Sequence, residues 1–350
     1  MRVPHTLALF PMALVCMAVG PAPGKPVPPS TDSPQPLNVA LRQTPSRDTL
    51  RKIFLHPYAD ATATPLGEPA WDGSLDALRQ LATDKKADLA LVDGATLAAG
   101  CGTQLFDKPD WSALGRDRFL PPAANDCAVG AYVSATILAW DSQKLQTPPS
   151  WGDFWDVAKH PGRRGLQKTA RGTLEIALMA DGVSPGDIYR TLRSADGVDR
   201  AFRKLDQLKP YIEWWDQPSQ AAQFLASGKV LLTSAPAAPW PAGGKVHIGV
   251  QWSGSLNDTV YWAILHDPLH PKAAQAAVWI ATDPAREASF AKITSFGPST
   301  HAGVALLPDD TRAQSPSAAA NLHAGLPSDD GFWFENGTKL EARFAVWLAK

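Results

Sequence analysis

The chain has 350 residues, with 33 Lys and Arg against 34 Asp and Glu and a formal net charge of −1. No basic stripe is readable in it, which argues against nucleic acid as a partner. The length allows one large domain or two lobes that each bury a core.

Arg2 and His5 precede an apolar stretch from Leu7 to Val19. That stretch is too short to span a bilayer and is followed by small residues, the pattern of a secretory signal peptide. The signal is assigned to residues 1–22, with cleavage after Gly20 or Ala22, and export to the periplasm is expected. Cys16 does not read as a lipidation site, because Val15 is bulky for the position before it. Residues 23–36, rich in Pro and Ser, read as a disordered leader. Beyond the leader two cysteines remain, Cys101 and Cys127. An even count in an exported chain favours a disulfide, worth roughly 3 kcal/mol; two separately buried thiols are the alternative.

Leu37 to Leu41 reads as a strand. Ser46 can cap a helix that turns Leu50, Ile53 and Phe54 inward. Leu75, Leu78 and Leu81 mark a second helix. Leu89 to Val92, ended by Asp93-Gly94, suits a strand buried on both faces. Tyr132 to Trp140 is another strand, and Ser150 with Asp153 forms a capping box for the next helix. Phe202, Leu205 and Leu208 make a helical stripe that Pro210 stops. A helix from Ser219 to Gly228 precedes a strand from Val230 to Thr233. Pro271 and Pro284 suit first helical turns. Pro308 to Asp330 reads as a surface excursion, and the end as an amphipathic helix with Leu340, Phe344 and Trp347 inward. The alternation implies α/β layers around mainly parallel sheets.

Several segments are similar in order and spacing to one family. They are W-G-D-F-W-D at Trp151, R-G-T-L-E-I-A-L-M-A-D-G at Arg171 and Y-I-E-W-W-D at Tyr211. W-D-G-S-L-D-A-L at Trp71, L-F-D-K-P-D-W-S at Leu105, D-C-A-V-G-A-Y-V at Asp126, N-D-T-V-Y-W-A-I-L at Asn257 and S-F-G-P-S-T at Ser295 join them. Together they resemble the spermidine/putrescine-type solute-binding proteins of bacterial ABC importers. The resemblance implies an α/β, type II-like periplasmic binding protein. Its two lobes would be joined by a two-segment hinge, with the ligand in the interlobe cleft. Lobe one would be residues 37–140 plus 264–350, and lobe two residues 141–263. It also implies a receptor and not an enzyme: a monomer with no cofactor and no metal, delivering its solute to an inner-membrane permease.

Ligands of open α/β sheets sit beyond the carboxyl ends of strands. Three such ends are readable, at Arg42-Gln43, Asp93-Gly94 and Ser234. An organic amine needs aromatic walls and carboxylates. Tyr132, Trp214, Trp215, Trp252, Tyr261 and Trp262 are candidate walls, with core packing as the alternative for each. Asp93, Glu175 and Asp258 are candidate carboxylates, with a cap or a solvated face as the alternative. The ligand-binding set is therefore Arg42, Asp93, Tyr132, Glu175, Trp215, Ser234, Asp258 and Tyr261. One departure from the family matters. The polyamine binders carry an aromatic residue and usually an acid after the first strand, where this chain has Arg42-Gln43-Thr44. A cation there opposes a polyamine and could fork a carboxylate, so an amino-acid or opine-type solute competes. If Arg42 faces solvent, a polyamine is the better fit. Other classes are a periplasmic hydrolase and a ligand sensor. His266 and His270 are four apart, but Pro268 and Pro271 break the helix that a metal pair would need.

Overall fold

The computed structural model describes residues 36–237 and 247–350. The expected signal peptide, and the leader apart from Pro36, lie outside the described residues. Nine strands form the sheet: β1 Leu37–Ala40, β2 Leu66–Gly67, β3 Leu89–Asp93, β4 Val129–Asp141, β5 Arg164–Gln167, β6 Ile212–Trp215, β7 Leu232–Pro236, β8 Ile248–Ile264 and β9 Leu326–Pro327. Their order is β2-β1-β3-β8-β4-β7-β5-β6, with β9 beside β8. The flanks are parallel, as expected, in the pairs β1–β2, β1–β3, β5–β6 and β5–β7. The centre is not: β8 is antiparallel to both β3 and β4, and β4 is antiparallel to β7.

Two segments cross that centre: β4 and β8, 13 and 17 residues long, run unbroken through both halves. The first half pairs Val260–Ile264 of β8 with β3, and the second pairs Thr136–Trp140 of β4 with β7. Between them the register slips: from Thr136 to Leu138 the β8 partner jumps from Leu256 to Gln251. Gly254 lies in the bypassed stretch at φ 73°, a conformation glycine adopts without strain. Strand ends are readable from composition, whereas a slip inside a strand leaves no compositional break.

The W-G-D-F-W motif fixes this slip. Ser150 and Asp153 form the expected capping box for the helix Trp151–Trp155. The helix then aims the Trp151 indole N–H at the Gly254 carbonyl, 2.8 Å away, and the Trp155 indole at the Lys204 carbonyl, 2.9 Å away. Both tryptophans are buried, as packing residues should be.

Each half has its own core. Leu37, Val39, Phe54, Leu89 and Phe290 belong to the first. Leu166, Leu174, Ile176, Phe202 and Leu205 belong to the second. The terminal helix Asp330–Leu348 buries Phe332, Trp333, Leu340 and Phe344 in the second core. The assignment of all of 264–350 to the first lobe is corrected accordingly. An amphipathic stripe shows that a helix packs but not against what. Glu341 of this helix accepts the Thr169 hydroxyl at 2.6 Å and the Ala170 and Arg171 backbone N–H groups at 3.0 and 3.1 Å. The expected surface excursion before it also packs in part: it holds the helices Asp309–Ala313 and Ala319–Ala324 and buries Ser315, Ser317 and Asn321.

Cys101, in the helix Gly94–Gly102, is bonded to Cys127 ahead of β4, with Cα atoms 5.9 Å apart and 26 positions between them in sequence. Closing that loop restricts the unfolded chain by between about 3 and 4 kcal/mol. Replacing both cysteines by serine is expected to lower the unfolding free energy by about that amount in urea titrations. Unreduced protein should also resist alkylation at both sites. Two alkylated thiols without reductant would contradict the bond.

Candidate functional site

The sharp end of β3 makes the first part of the site. Asp93 caps the helix Gly94–Gly102 by accepting the Thr96 N–H on Oδ1 at 2.8 Å. Its other oxygen accepts Arg42 Nη1 at 2.6 Å. Arg42 Nη2 donates to the Gly73 carbonyl at 2.9 Å and to the Thr96 hydroxyl at 3.2 Å, and the guanidinium lies 5.4 Å from the Trp71 ring centre. The Arg42–Asp93 pair is therefore closed on itself. Burial pushes the Asp93 carboxyl up, but Arg42 and the Thr96 N–H outweigh it and hold the acid below its ordinary range. The pair faces a cleft lined also by Leu41, Thr44, Arg47, Leu91, Tyr132 and Val260. Tyr132 stacks on Phe296 with ring centres 4.6 Å apart, and burial raises its hydroxyl well above the usual value.

The second part surrounds Arg171. The helix Ala170–Ala180 is interrupted at its start: Arg171 is extended, at φ −61° and ψ 129°, and Gly172 takes φ 84°. This kink aims the Arg171 guanidinium sideways. Its Nη2 donates to Asp258 at 2.6 Å, Asp330 at 2.8 Å and the Ser328 hydroxyl at 2.8 Å. Asp258 lies two residues from Val260 on β8 and so shares its face. The Asp330 carboxylate packs on Gly94, where an added Cβ would lie 1.7 Å from Oδ2. Gly94 follows Asp93 directly, so the two parts are contiguous. Burial raises the Asp330 carboxyl to about 6; Arg171 opposes this, and Asp258 and Asp93 add to it. Arg171 is itself held more firmly protonated than usual, because Asp258 and Asp330 outweigh its burial.

Of the predicted residues, the structure brings together Arg42, Asp93, Tyr132 and Asp258. Glu175 is corrected: it is 1% exposed and braces the fold. Its oxygens accept the Gly172 N–H at 2.8 Å, the Tyr189 hydroxyl at 3.0 Å and the Trp333 indole at 2.7 Å. Tyr261 is also corrected. It alternates away from Asp258, sits in the first-half core and donates to the Pro122 carbonyl at 2.9 Å. Burial raises its hydroxyl to about 12. Trp215, at the carboxyl end of β6, and Ser234, in the middle of β7 and not at the expected strand end, are each 1% exposed, and neither lines the cleft beside Arg42. Trp262 packs edge-on to Phe54 and Trp214 edge-on to Phe344. His266 and His270 bond to Asp107 and Asp88 respectively.

Arg171, Asp330 and Arg47 were missed. The R-G pair before a helical pattern was the available signal for Arg171; Asp330 lay hidden in the supposed excursion. The reading that the sequence holds no G-x-S-x-G is corrected: Gly182 to Gly186 fits that pattern. Its Ser184 is exposed in a turn between helices and bonded to Asp187, not on the strand-to-helix elbow that a nucleophile needs.

The model of the bacterial extracellular solute-binding protein family matches residues 61–321. Over 267 residues the chain is 39% identical to a gamma-aminobutyric acid-binding protein of Pseudomonas aeruginosa, covering 75% of this chain and 76% of that one. The solved Atu4243–GABA receptor is similar with a TM-score of 0.79 at 22% identity, covering 90% of this chain and 98% of that one. The spermidine/putrescine substrate-binding protein PotD of Streptococcus pneumoniae has a TM-score of 0.70 at 15% identity, covering 90% and 100%. At these identities the two structures establish the fold alone. The chain belongs to the bacterial extracellular solute-binding family, and its fold is that of the two-lobe periplasmic binding proteins. The resemblance read from the sequence holds at that level. Membership implies a place outside the cytoplasm, and the named relatives are binding proteins.

Glu175 and Glu287 give the fold a pH signature. Glu287, also 1% exposed, accepts the Ser299 and Thr300 hydroxyls and the Thr300 N–H. Burial pushes both carboxyls up to about 7, from 4.5. The folded state therefore holds protons that the unfolded chain has released, so stability is greatest below the unfolded value and falls as pH rises through the folded one. The melting temperature is expected to decline from about pH 4.5 to about pH 7 in calorimetry. A rise across that window would contradict the two buried acids.

Proposed function

We propose that the protein is a periplasmic receptor for a small zwitterionic amine of the 4-aminobutyrate type, exported by residues 1–22 and delivering its solute to an inner-membrane ABC permease. One observation carries the reading: a single guanidinium, Arg171, faces two carboxylates, Asp258 and Asp330. Surplus negative charge beside a cleft is what a captured ammonium needs to replace its hydration. The similarity to the Pseudomonas aeruginosa protein supports 4-aminobutyrate as the type of solute.

The Arg42–Asp93 pair weighs against a polyamine. A second ammonium in that part of the cleft would meet a carboxylate already neutralised by Arg42. The register slips near Leu138 and Gly254, where the strands change partners, support a lobe boundary there.

Calorimetric titration of the mature protein with 4-aminobutyrate and putrescine tests this reading. Asp258→Asn is expected to weaken 4-aminobutyrate by roughly ten- to hundredfold, the worth of one charge-assisted hydrogen bond. Asp330 still pairs with Arg171 in that variant. Arg42→Ala is expected to free Asp93 and improve putrescine binding. Unchanged affinity in Asp258→Asn would remove that acid from the site. Wild-type preference for putrescine would return the polyamine.

A further inference from the structure

We propose that Arg47, and not Arg42, anchors the carboxylate end of the ligand and so fixes its direction in the cleft; this rests on the zwitterionic-amine reading above. Arg42 has only its Nε left to offer an anion. Its two terminal nitrogens already donate to Asp93, the Gly73 carbonyl and the Thr96 hydroxyl. Arg47 lines the same cleft and is differently placed. Its one side-chain bond among the described residues is from Nη2 to Glu68, at 2.6 Å. Its Nε, like that of Arg42, is shielded from solvent and has no partner, but Arg47 also keeps Nη1 without a hydrogen bond among the described residues. A buried N–H without an acceptor is costly, and a ligand oxygen would satisfy it.

The charge count points the same way. Arg47 and Arg51 are four apart on one helical face, and both reach Glu68, at 2.6 and 2.5 Å. Two cations share one partly buried acid there; Asp48, 3.6 Å from Arg51, is almost fully exposed, so water screens that pair. Arg171 shares its charge with two acids, Asp258 and Asp330. The neutral Arg42–Asp93 pair links these corners, since Asp93 lines the cleft with Arg47 and its neighbour Gly94 touches Asp330. Along the site the bonded groups run from one surplus cation, through a neutral pair, to one surplus anion. A ligand with a carboxylate at one end and an ammonium at the other matches that order in one direction only.

The test compares 4-aminobutyrate with 4-aminobutanamide, which keeps the ammonium and replaces the carboxylate by a neutral amide. Calorimetry is run on wild type, Arg47→Gln and Glu68→Gln. Wild type is expected to prefer 4-aminobutyrate by at least about tenfold, and Arg47→Gln to lose most of that preference while binding the amide within about threefold of wild type. Glu68→Gln, which leaves Arg47 without its acid, is expected to widen the preference. It decides the matter if Arg47→Gln does not fold: a preference that fails to widen then overturns the proposal. A preference retained in folded Arg47→Gln overturns the role of Arg47 alone, leaving the receptor reading intact. Failure of wild type to bind 4-aminobutyrate overturns both.

Discussion

The Arg171 guanidinium is the interaction on which the arrangement of the site depends. It draws Asp258 from a strand common to both halves, Asp330 from the start of the terminal helix, and Ser328 from the segment between them. Partly buried charges are tolerable only when paired and hydrogen-bonded, so these chain segments are held in mutual register. The backbone around Arg171 is braced twice over. Glu341 takes the N–H groups of Ala170 and Arg171, and Glu175 takes that of Gly172. Glu341 lies on the terminal helix, and Glu175 reaches that helix through Trp333. The kink is thus fixed from the same helix that supplies Asp330. Because Glu341 fills the start of the Ala170–Ala180 helix, an anionic ligand group has no vacancy there.

The first half is organised by a similar economy of oxygens. Asp93 gives one oxygen to the helix it caps and the other to Arg42. A capping aspartate is set by backbone geometry, so the arginine it holds is set as well. The consequence is a pre-formed ion pair at the end of β3, oriented before any ligand arrives. Pre-organised charges bind with less ordering cost than mobile ones, and their signs discriminate between solutes more than they add affinity.

Much of this was legible in the sequence. The apolar run Leu89 to Val92 ending in Asp93-Gly94 named both a buried strand and a strand-end acid. The Cys101–Cys127 pair followed from counting, and the capping box at Ser150 from spacing. Asp258 was found because its strand was recognised by resemblance. The misses have physical causes. Tryptophan bulk looks the same in a cleft wall as in a core, and Trp214, Trp215 and Trp262 proved to be core or near-core packing. Glu175 had the right type for a ligand group, but Tyr189 and Trp333, which claim its oxygens, are 14 and 158 positions away in sequence. Asp330 acts through a contact with Gly94 that only the fold creates.

Loss of the tryptophans from the cleft changes how recognition has to work. Among the described residues, Tyr132 is the one aromatic side chain lining the cleft beside Arg42, and its ring is packed on Phe296 and Phe290. The described residues leave little aromatic surface there to grip an alkyl chain or to hold a cation by its π face. Recognition then falls to the placement of charge. A solute of one sign can meet its complement at one end only, and at the other end it either faces a like charge or gives up hydration without replacement. A solute with both signs, suitably spaced, leaves neither of its ends nor either charged corner unmatched. On the proposed reading, the same ion pairs that hold the halves in register would select against solutes that a wider, aromatic-lined cleft would accept.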